Sequence, residues 1–177
     1  MSNTQLLIFT AGTIFIILFS WFLSIREGRY HGIPRFFAFE GLLALLLLNI
    51  PVWFKNPLSI QQIASWLLFI ISIYYAITAF RLFHLYGKHG KNFENTTRLV
   101  TSGLYRYIRH PMYAALLFMG WGMFLKSITW QGLVIVVVIS IALFITAKIE
   151  EKEMLKKFGE EYGIYRAKTK MFIPFIY

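Results

Sequence analysis

Neither cysteine nor aspartate occurs anywhere in the sequence. The first absence removes disulfides, thiolate ligands and lipidated thiols, and leaves the redox compartment open. The second thins the supply of carboxylates from which metal sites are built, since all acidity rests on eight glutamates. His84, His89 and His110 match no common ligand spacing, so no metal site is expected. Charge of either sign is scarce: 15% of residues are charged and 58% are apolar, against about a quarter and about a half in soluble domains. That excess is what a bilayer solvent demands. No shift in composition, internal repeat or low-complexity tract divides the chain, which reads as one domain over 1–177. Gly120-Trp121-Gly122 and the glycines at 87 and 90 follow no strand and make no nucleotide fingerprint.

The apolar residues gather into five stretches, 5–25, 36–54, 60–83, 111–125 and 129–149, which predicts an all-α polytopic membrane protein. Four are long enough to cross. As a helix the fourth reaches only about 22 Å against roughly 30 Å of hydrocarbon, so it must be shielded by neighbours, extended by flanking residues, or re-entrant. The first span lacks a basic leader and a small-residue cleavage site, and its positive charge follows it, so it is expected to be an uncleaved anchor. Sixteen of the 18 Lys and Arg fall in segments that five crossings place on one side; Lys55 and Lys126 remain opposite. This predicts an outside N-terminus and a cytoplasmic C-terminus, with the net charge of +10 explained by topology and anionic lipid. Basic residues that flank spans make no stripe for a phosphate backbone, so no nucleic-acid partner is expected.

The long polar segment 88–109 begins as a solvated loop by turn composition. Its second half, 99–107, regains aliphatic and aromatic residues and is expected against the membrane surface. A tight turn at 125–128 makes the last two spans a helical hairpin. Beyond it, Met154, Phe158, Tyr162 and Tyr165 recur at helical spacing, with Glu150, Glu153, Lys157, Glu160 and Glu161 mostly elsewhere. This predicts an amphipathic tail helix continuing the fifth span, weakened near Gly159 and Gly163 and ending before Pro174. The hairpin brings Arg109 and His110 to the same rim as Glu150 and Glu151.

That rim is where chemistry is sought, because charge at the edge of hydrocarbon is costly unless it binds something. Pro111 suits the first turn of a helix and disfavours a helical His110, fixing the histidine at a helix start where amide donors favour an anionic group. Arg106, Tyr105 and Tyr107 can equally be read as an interfacial belt touching lipid phosphates. Neighbouring helical residues point about 100° apart, so one of Glu150 and Glu151 should face the site while the other meets water or lysine. A carboxylate there can bind paired hydroxyls or an ammonium, or make a salt bridge with Lys148, Lys152 or Arg109. Glu40, the one acid inside a span, reads as a functional candidate or as a snorkelling side chain near the interface.

Leu99-Val100-Thr101-Ser102-Gly103, Tyr105-Arg106 and Arg109-His110-Pro111-Met112-Tyr113, followed after the hairpin by Glu150-Glu151, Phe158-Gly159, Glu161-Tyr162, Tyr165-Arg166 and Pro174, resemble the isoprenylcysteine carboxyl methyltransferase and phospholipid methyltransferase superfamily. The resemblance covers 81–174. It implies an integral membrane enzyme that binds S-adenosylmethionine near the cytoplasmic face and methylates a lipophilic acceptor. Carried over residue by residue, it places Tyr105, Arg109, His110, Pro111 and Tyr113 along the cofactor pocket. Glu150 and Glu151 bind the cofactor from the tail, Glu151 and Arg166 close the pocket, and Arg109, Glu151, Tyr165 and Arg166 stand nearest the transfer. Leu104 stands where many relatives have proline and Ala115 where many have glycine, which puts the pocket's shape, hence the substrate, in question.

A carboxylate acceptor is already ionised and needs an arginine to orient it, whereas an amine must lose a proton to a glutamate or histidine. The leading expectation is carboxyl O-methylation of a prenylcysteine-type group, ahead of N-methylation of an ethanolamine phospholipid. The resemblance also reaches membrane sterol reductases that use a nicotinamide cofactor, for which this chain is short. A non-catalytic subunit or small transporter is the alternative if the basic cluster merely binds lipid.

Overall fold

The computed structural model describes residues 2–87 and 98–176. The described residues form five α-helices: α1 (Asn3–Leu23), α2 (Gly32–Asn49), α3 (Ile60–Tyr86), α4 (Pro111–Phe124) and α5 (Trp130–Lys168). The expected loop at 88–97, with His89, lies outside the described residues. Helix starts are marked by hydroxyls: Ser2 and Gln5 form a capping box on α1, Ser59 Oγ accepts from the Gln62 amide, and Thr129 Oγ1 from the Gly132 amide. Pro111 opens α4, where its missing amide hydrogen costs nothing.

Four of the helices are long and apolar enough to cross a membrane, and α4, at 14 residues, is not. Its shortness is tolerated because α2, α3 and α5 all pack on it. The core runs through α2, α4 and α5, where Leu42, Leu45, Ala114, Val136, Ile139 and Leu143 are buried. α1 lies outside against α2, and α3 outside against α4, each turning long aliphatic side chains outward. Such faces suit lipid, since inside a bilayer packing and polar contacts, not water exclusion, hold helices together. Those contacts are present: Ser65 Oγ donates to the Gly122 carbonyl at 2.7 Å, Ser72 Oγ to Ala115 at 2.8 Å, and Asn49 Nδ2 to Met123 at 3.1 Å.

Two polar residues sit differently from the sequence expectation. Glu40 does not snorkel: its Oε1 accepts from Thr13 Oγ1 at 2.6 Å, which ties α2 to α1 inside the span. Lys126, read as a loop cation, is buried at the far end of the bundle. Its Nζ donates to Gln62 Oε1 at 2.8 Å and lies 3.5 Å from the Trp66 ring centroid. A lysine can be buried there because aromatic faces and an amide oxygen replace its water.

The hairpin and the continued tail helix are both present. α5 runs on past its apolar stretch and turns at Gly159, whose φ of 54° and ψ of −127° no other residue type adopts without strain. That bend swings the last turns of α5 back over the bundle. After Lys168 the chain lies beside the segment leading into α4: Arg109 N donates to the Lys170 carbonyl at 2.8 Å, Lys170 N to Tyr107 at 2.9 Å, and His110 N to Met171 at 3.1 Å.

Candidate functional site

This backbone pairing fixes Arg109 and His110 where the end of α5 can meet them. Glu151, 2% exposed, receives Arg109 Nε on Oε1 at 2.6 Å. Arg109 Nη1 also donates to the Arg166 carbonyl at 3.2 Å and to that of Thr169. Its guanidinium is thereby committed to holding the tail. His110, likewise buried, stands between two carboxylates, with Nδ1 3.5 Å from Glu150 Oε2 and Nε2 3.6 Å from Glu151 Oε1. Its ring stacks on Tyr113, with centroids 5.5 Å apart, and Tyr113 hydrogen-bonds Glu150.

Burial alone would discharge this cluster; mutual pairing opposes that. It disfavours a charged His110, but contact with Glu150 and Glu151 outweighs it and raises the imidazole above its ordinary value. Burial also opposes ionised glutamates, yet His110 with Tyr113 holds Glu150, and His110 with Arg109 holds Glu151, near pKa 2. The phenols of Tyr105, Tyr162 and Tyr165 are pushed up, chiefly by burial, and act as neutral hydroxyls. Tyr165 uses its hydroxyl to donate to the Tyr105 carbonyl at 2.7 Å, locking the tail helix over the 3-10 turn Gly103–Arg106.

In front of His110 opens a cavity of about 390 Å³. Tyr105, Arg109, His110, Pro111, Tyr113, Glu150 and Tyr165 line it, as do Met154, Phe158 and Tyr162, the face predicted from helical spacing. Segment 99–107 contributes Leu99, Val100 and Tyr105 to its wall; Val100 and Tyr105 pack with Ala79 of α3, a bundle contact where a membrane-surface position was expected. Arg106 and Tyr107 point outward, as a belt does. Ala115 stands in the wall, so its methyl takes up space that a glycine would leave open.

Three placements differ from expectation. Glu151 does not line the cavity; it lies behind His110, in the salt bridge with Arg109 that the sequence offered as an alternative to a site role. Arg166 is at the outer edge, its side chain 44% exposed and 3.5 Å from Glu151 Oε2. Glu150 and Glu153 belong to the cavity face, since positions three and four apart on a helix share one side and both flank Met154's row.

Sequence reasoning missed the opposite wall. Arg29, His31 and Arg35, from the start of α2 and the turn before it, line the same cavity, together with Arg98. His31 is 3% exposed, and its Nδ1 lies 2.9 Å from Glu153 Oε2. The available signal was a histidine amid the basic residues between the first two spans, on the same rim as Arg109. Among the described residues, no group of three or more His, Cys, Asp or Glu is arranged to hold a metal.

The rest of the lining is apolar and includes Phe19 and Leu23 of α1, Phe39 of α2, Phe80 and Phe83 of α3, and Met119 of α4. Charged and apolar side chains of membrane helices thus share one cavity, an arrangement suited to a polar reactant and a greasy one. Several known proteins are similar to this chain. Methanethiol S-methyltransferase 1 of Bradyrhizobium diazoefficiens is 30% identical over 118 residues, 63% of this chain and 39% of that protein. Methanethiol S-methyltransferase of Crocosphaera subtropica is 34% identical over 76 residues, covering 43% and 29% of the two chains. That of Pseudomonas deceptionensis is 34% identical over 71 residues, covering 40% and 26%. The chain therefore matches well under half the length of these relatives. The family model described as phospholipid methyltransferase matches residues 60–161, which hold α3, α4, the hairpin turn and the glutamates of α5, and on that match the chain belongs to the phospholipid methyltransferase family of membrane proteins.

Proposed function

We propose that this chain transfers a methyl group from S-adenosylmethionine to a lipophilic acceptor within this cavity. The observation that carries the reading is that one cavity is lined both by the His110–Glu150 pair and by apolar side chains of α1, α2, α3 and α4. The volume falls in the range of small-molecule sites. The donor set fits a cationic cofactor: Glu150 offers a carboxylate for an ammonium or paired hydroxyls, and Tyr105, Tyr113, Tyr162 and Phe158 offer aromatic faces for a sulfonium. When bound, the cofactor supplies an electrophilic methyl group.

The protein's own share is alignment and exclusion of water. His110 and Tyr113 hold the Glu150 carboxylate in place, Glu151 holds Arg109, and Arg109 fastens the tail that roofs the pocket. Arg109 and Glu151 are thus positioning residues, and Tyr165 clasps the roof through Tyr105. The acceptor's tail lies against the apolar side chains of the lining and enters from the bilayer. The prevalence of Lys and Arg at the cavity end of the bundle supports a cytoplasmic site and an outside N-terminus. Carboxyl O-methylation of a prenylcysteine-type group and N-methylation of an ethanolamine lipid are the acceptors implied by the sequence resemblance; the names of the curated relatives add sulfur.

Calorimetry in detergent tests the reading. Wild-type protein should bind S-adenosylmethionine, and Glu150→Gln and His110→Asn should each weaken binding at least tenfold. Wild-type protein that takes up no cofactor sinks it. Labelled methyl transfer into an alkyl thiol, a prenylcysteine analogue and phosphatidylethanolamine then ranks the acceptors.

A further inference from the structure

Phe39 on α2 and Met119 on α4 mark where the cavity stops inside the bundle. Shortly after each comes a glycine, and both glycines close on one side chain of α5. A Cβ added to Gly41 would come within 2.6 Å of Ile139 Cγ1, and one added to Gly120 would lie 3.5 Å from Ile139 Cγ2 and 3.6 Å from Leu42 Cδ2. Ile139 and Leu42 are themselves buried. α3 is bonded to α4 on either side of this level, Ser72 Oγ to the Ala115 carbonyl and Ser65 Oγ to that of Gly122. This antiparallel register sets Ala76, the innermost lining residue of α3, level with Pro111, and among the described residues α5 lines nothing inward of Glu150. Below His110 the cavity therefore runs on as an apolar recess between α2 and α4, lined by Phe39, Ala115, Leu116 and Met119. Phe19 of α1 packs edge-on against Phe39, with ring centroids 5.9 Å apart.

The depth of the recess follows from the helix. From Pro111 to Met119 α4 rises about 12 Å. α4 begins at the charged end of the cavity, and helical side chains lean towards the N-terminus of their helix, so Met119 reaches back up the recess and shortens it. An extended chain covers at most about 3.6 Å per three bonds, which lets about ten carbons span the full rise and about eight stop against Met119. Width is limited as well. A cavity of about 390 Å³ lies near the lower end of small-molecule sites, and one that also takes a cofactor leaves room for a single chain.

Resting on the methyltransferase reading above, we infer that the acceptor is a single-chain amphiphile whose tail enters this recess while its reacting head stays at the level of Pro111, and that Met119 sets the longest tail accepted, about eight carbons. The two acyl chains of a phospholipid do not fit such a recess, and a long prenyl chain overruns its end. Met119 is a specificity-determining residue in this reading: its side chain is unbranched and adapts its shape to the end of the tail it meets.

The test uses full-length protein in lipid nanodiscs and needs no turnover. Octanethiol carrying a photoreactive diazirine at its far carbon is the probe, and unlabelled butanethiol, octanethiol, undecanethiol and hexadecanethiol compete with it at equal mole fraction in the bilayer. Mapped by mass spectrometry, the label should fall on Phe39, Leu116 or Met119. Octanethiol should compete best in wild type, and hexadecanethiol at least tenfold more weakly, because methylenes forced past a packed end overfill it. Met119→Ala takes three heavy atoms from the end of the recess and should move the optimum to undecanethiol; Met119→Trp should move it to butanethiol. Both variants should bind S-adenosylmethionine within about threefold of wild type, since positions more than about 10 Å apart act independently. Label confined to lipid or to outward-facing side chains of α1 and α3, or equal competition by octanethiol and hexadecanethiol, overturns the recess while leaving methyl transfer intact. A length profile that both variants leave in place overturns the role of Met119. Wild-type protein that binds no S-adenosylmethionine overturns the acceptor assignment together with the methyltransferase reading.

Discussion

Replacing Glu151 by glutamine keeps its shape and removes its charge, leaving the Arg109 guanidinium, 10% exposed, facing a neutral amide. Breaking one partner of a buried ion pair costs about 3–5 kcal/mol, because the remaining charge stays desolvated and uncompensated. Arg109 retains carbonyl acceptors at Arg166 and Thr169, which places the expected loss at the low end, about 3 kcal/mol. Removing both charges should be milder. The double variant Arg109→Met with Glu151→Leu keeps apolar bulk and leaves no orphaned ion, so it should lie within about 1.5 kcal/mol of wild type. Equilibrium unfolding in mixed micelles, titrated with sodium dodecyl sulfate and followed by tryptophan fluorescence, measures both. Should the double variant lose as much as Glu151→Gln, or the single variant lose under about 1 kcal/mol, the pair is not the electrostatic clasp described.

Acid should loosen the same cluster. Glu150 and Glu151 titrate near 2 in the folded protein against 4.5 without partners, so their contribution is present above about pH 4.5 and lost as pH falls towards 2. His110 runs the other way, its raised pKa giving stability that fades as pH climbs through the folded value; Glu150→Gln should flatten both limbs of the unfolding profile. Gly159→Ala meets no steric neighbour and so carries only the backbone cost of its positive φ, about 1–3 kcal/mol, with cofactor affinity reduced because Tyr162 and Tyr165 shift; unchanged calorimetry would show the bend to be incidental. Lys126→Met removes the Trp66 and Gln62 contacts far from the cavity, and should lower stability by about 1–2 kcal/mol while leaving cofactor binding untouched.

The spans, the hairpin and the roofing face of the tail helix were legible in the sequence because each depends on periodicity or on a local stop. Arg109, His110 and Pro111 were legible for a related reason: a basic pair fixed before a helix start is a local oddity at a membrane edge. The division of labour between Glu150 and Glu151 was not. Helical geometry says that adjacent residues diverge, and the hairpin brings Arg109 within reach of either glutamate, but neither says that an imidazole lies between them or which of the two takes the arginine. His31 and Glu153 were missed because their meeting depends on how α2 seats against α5, a contact across 122 residues of chain. Assigning Glu153 to the outer face of the tail helix failed for the same reason, since the cavity wall covers a wider arc than the apolar stripe.

The unequal lengths of α4 and α5 bear on the bilayer itself. Fourteen residues of α4 rise about 21 Å, whereas positions 130–149 of α5 rise about 30 Å from the same turn. The two cannot end at one level while upright, yet His110 meets Glu150 and Glu151, so at least one of them is inclined and the floor of the cavity lies level with the end of the apolar part of α5. Lipid acyl length thereby becomes a control variable. A thicker bilayer submerges the pocket mouth and a thinner one lifts it towards the headgroups, so partitioning of a greasy reactant and of its water-soluble partner should respond in opposite directions as chain length is varied in reconstituted vesicles.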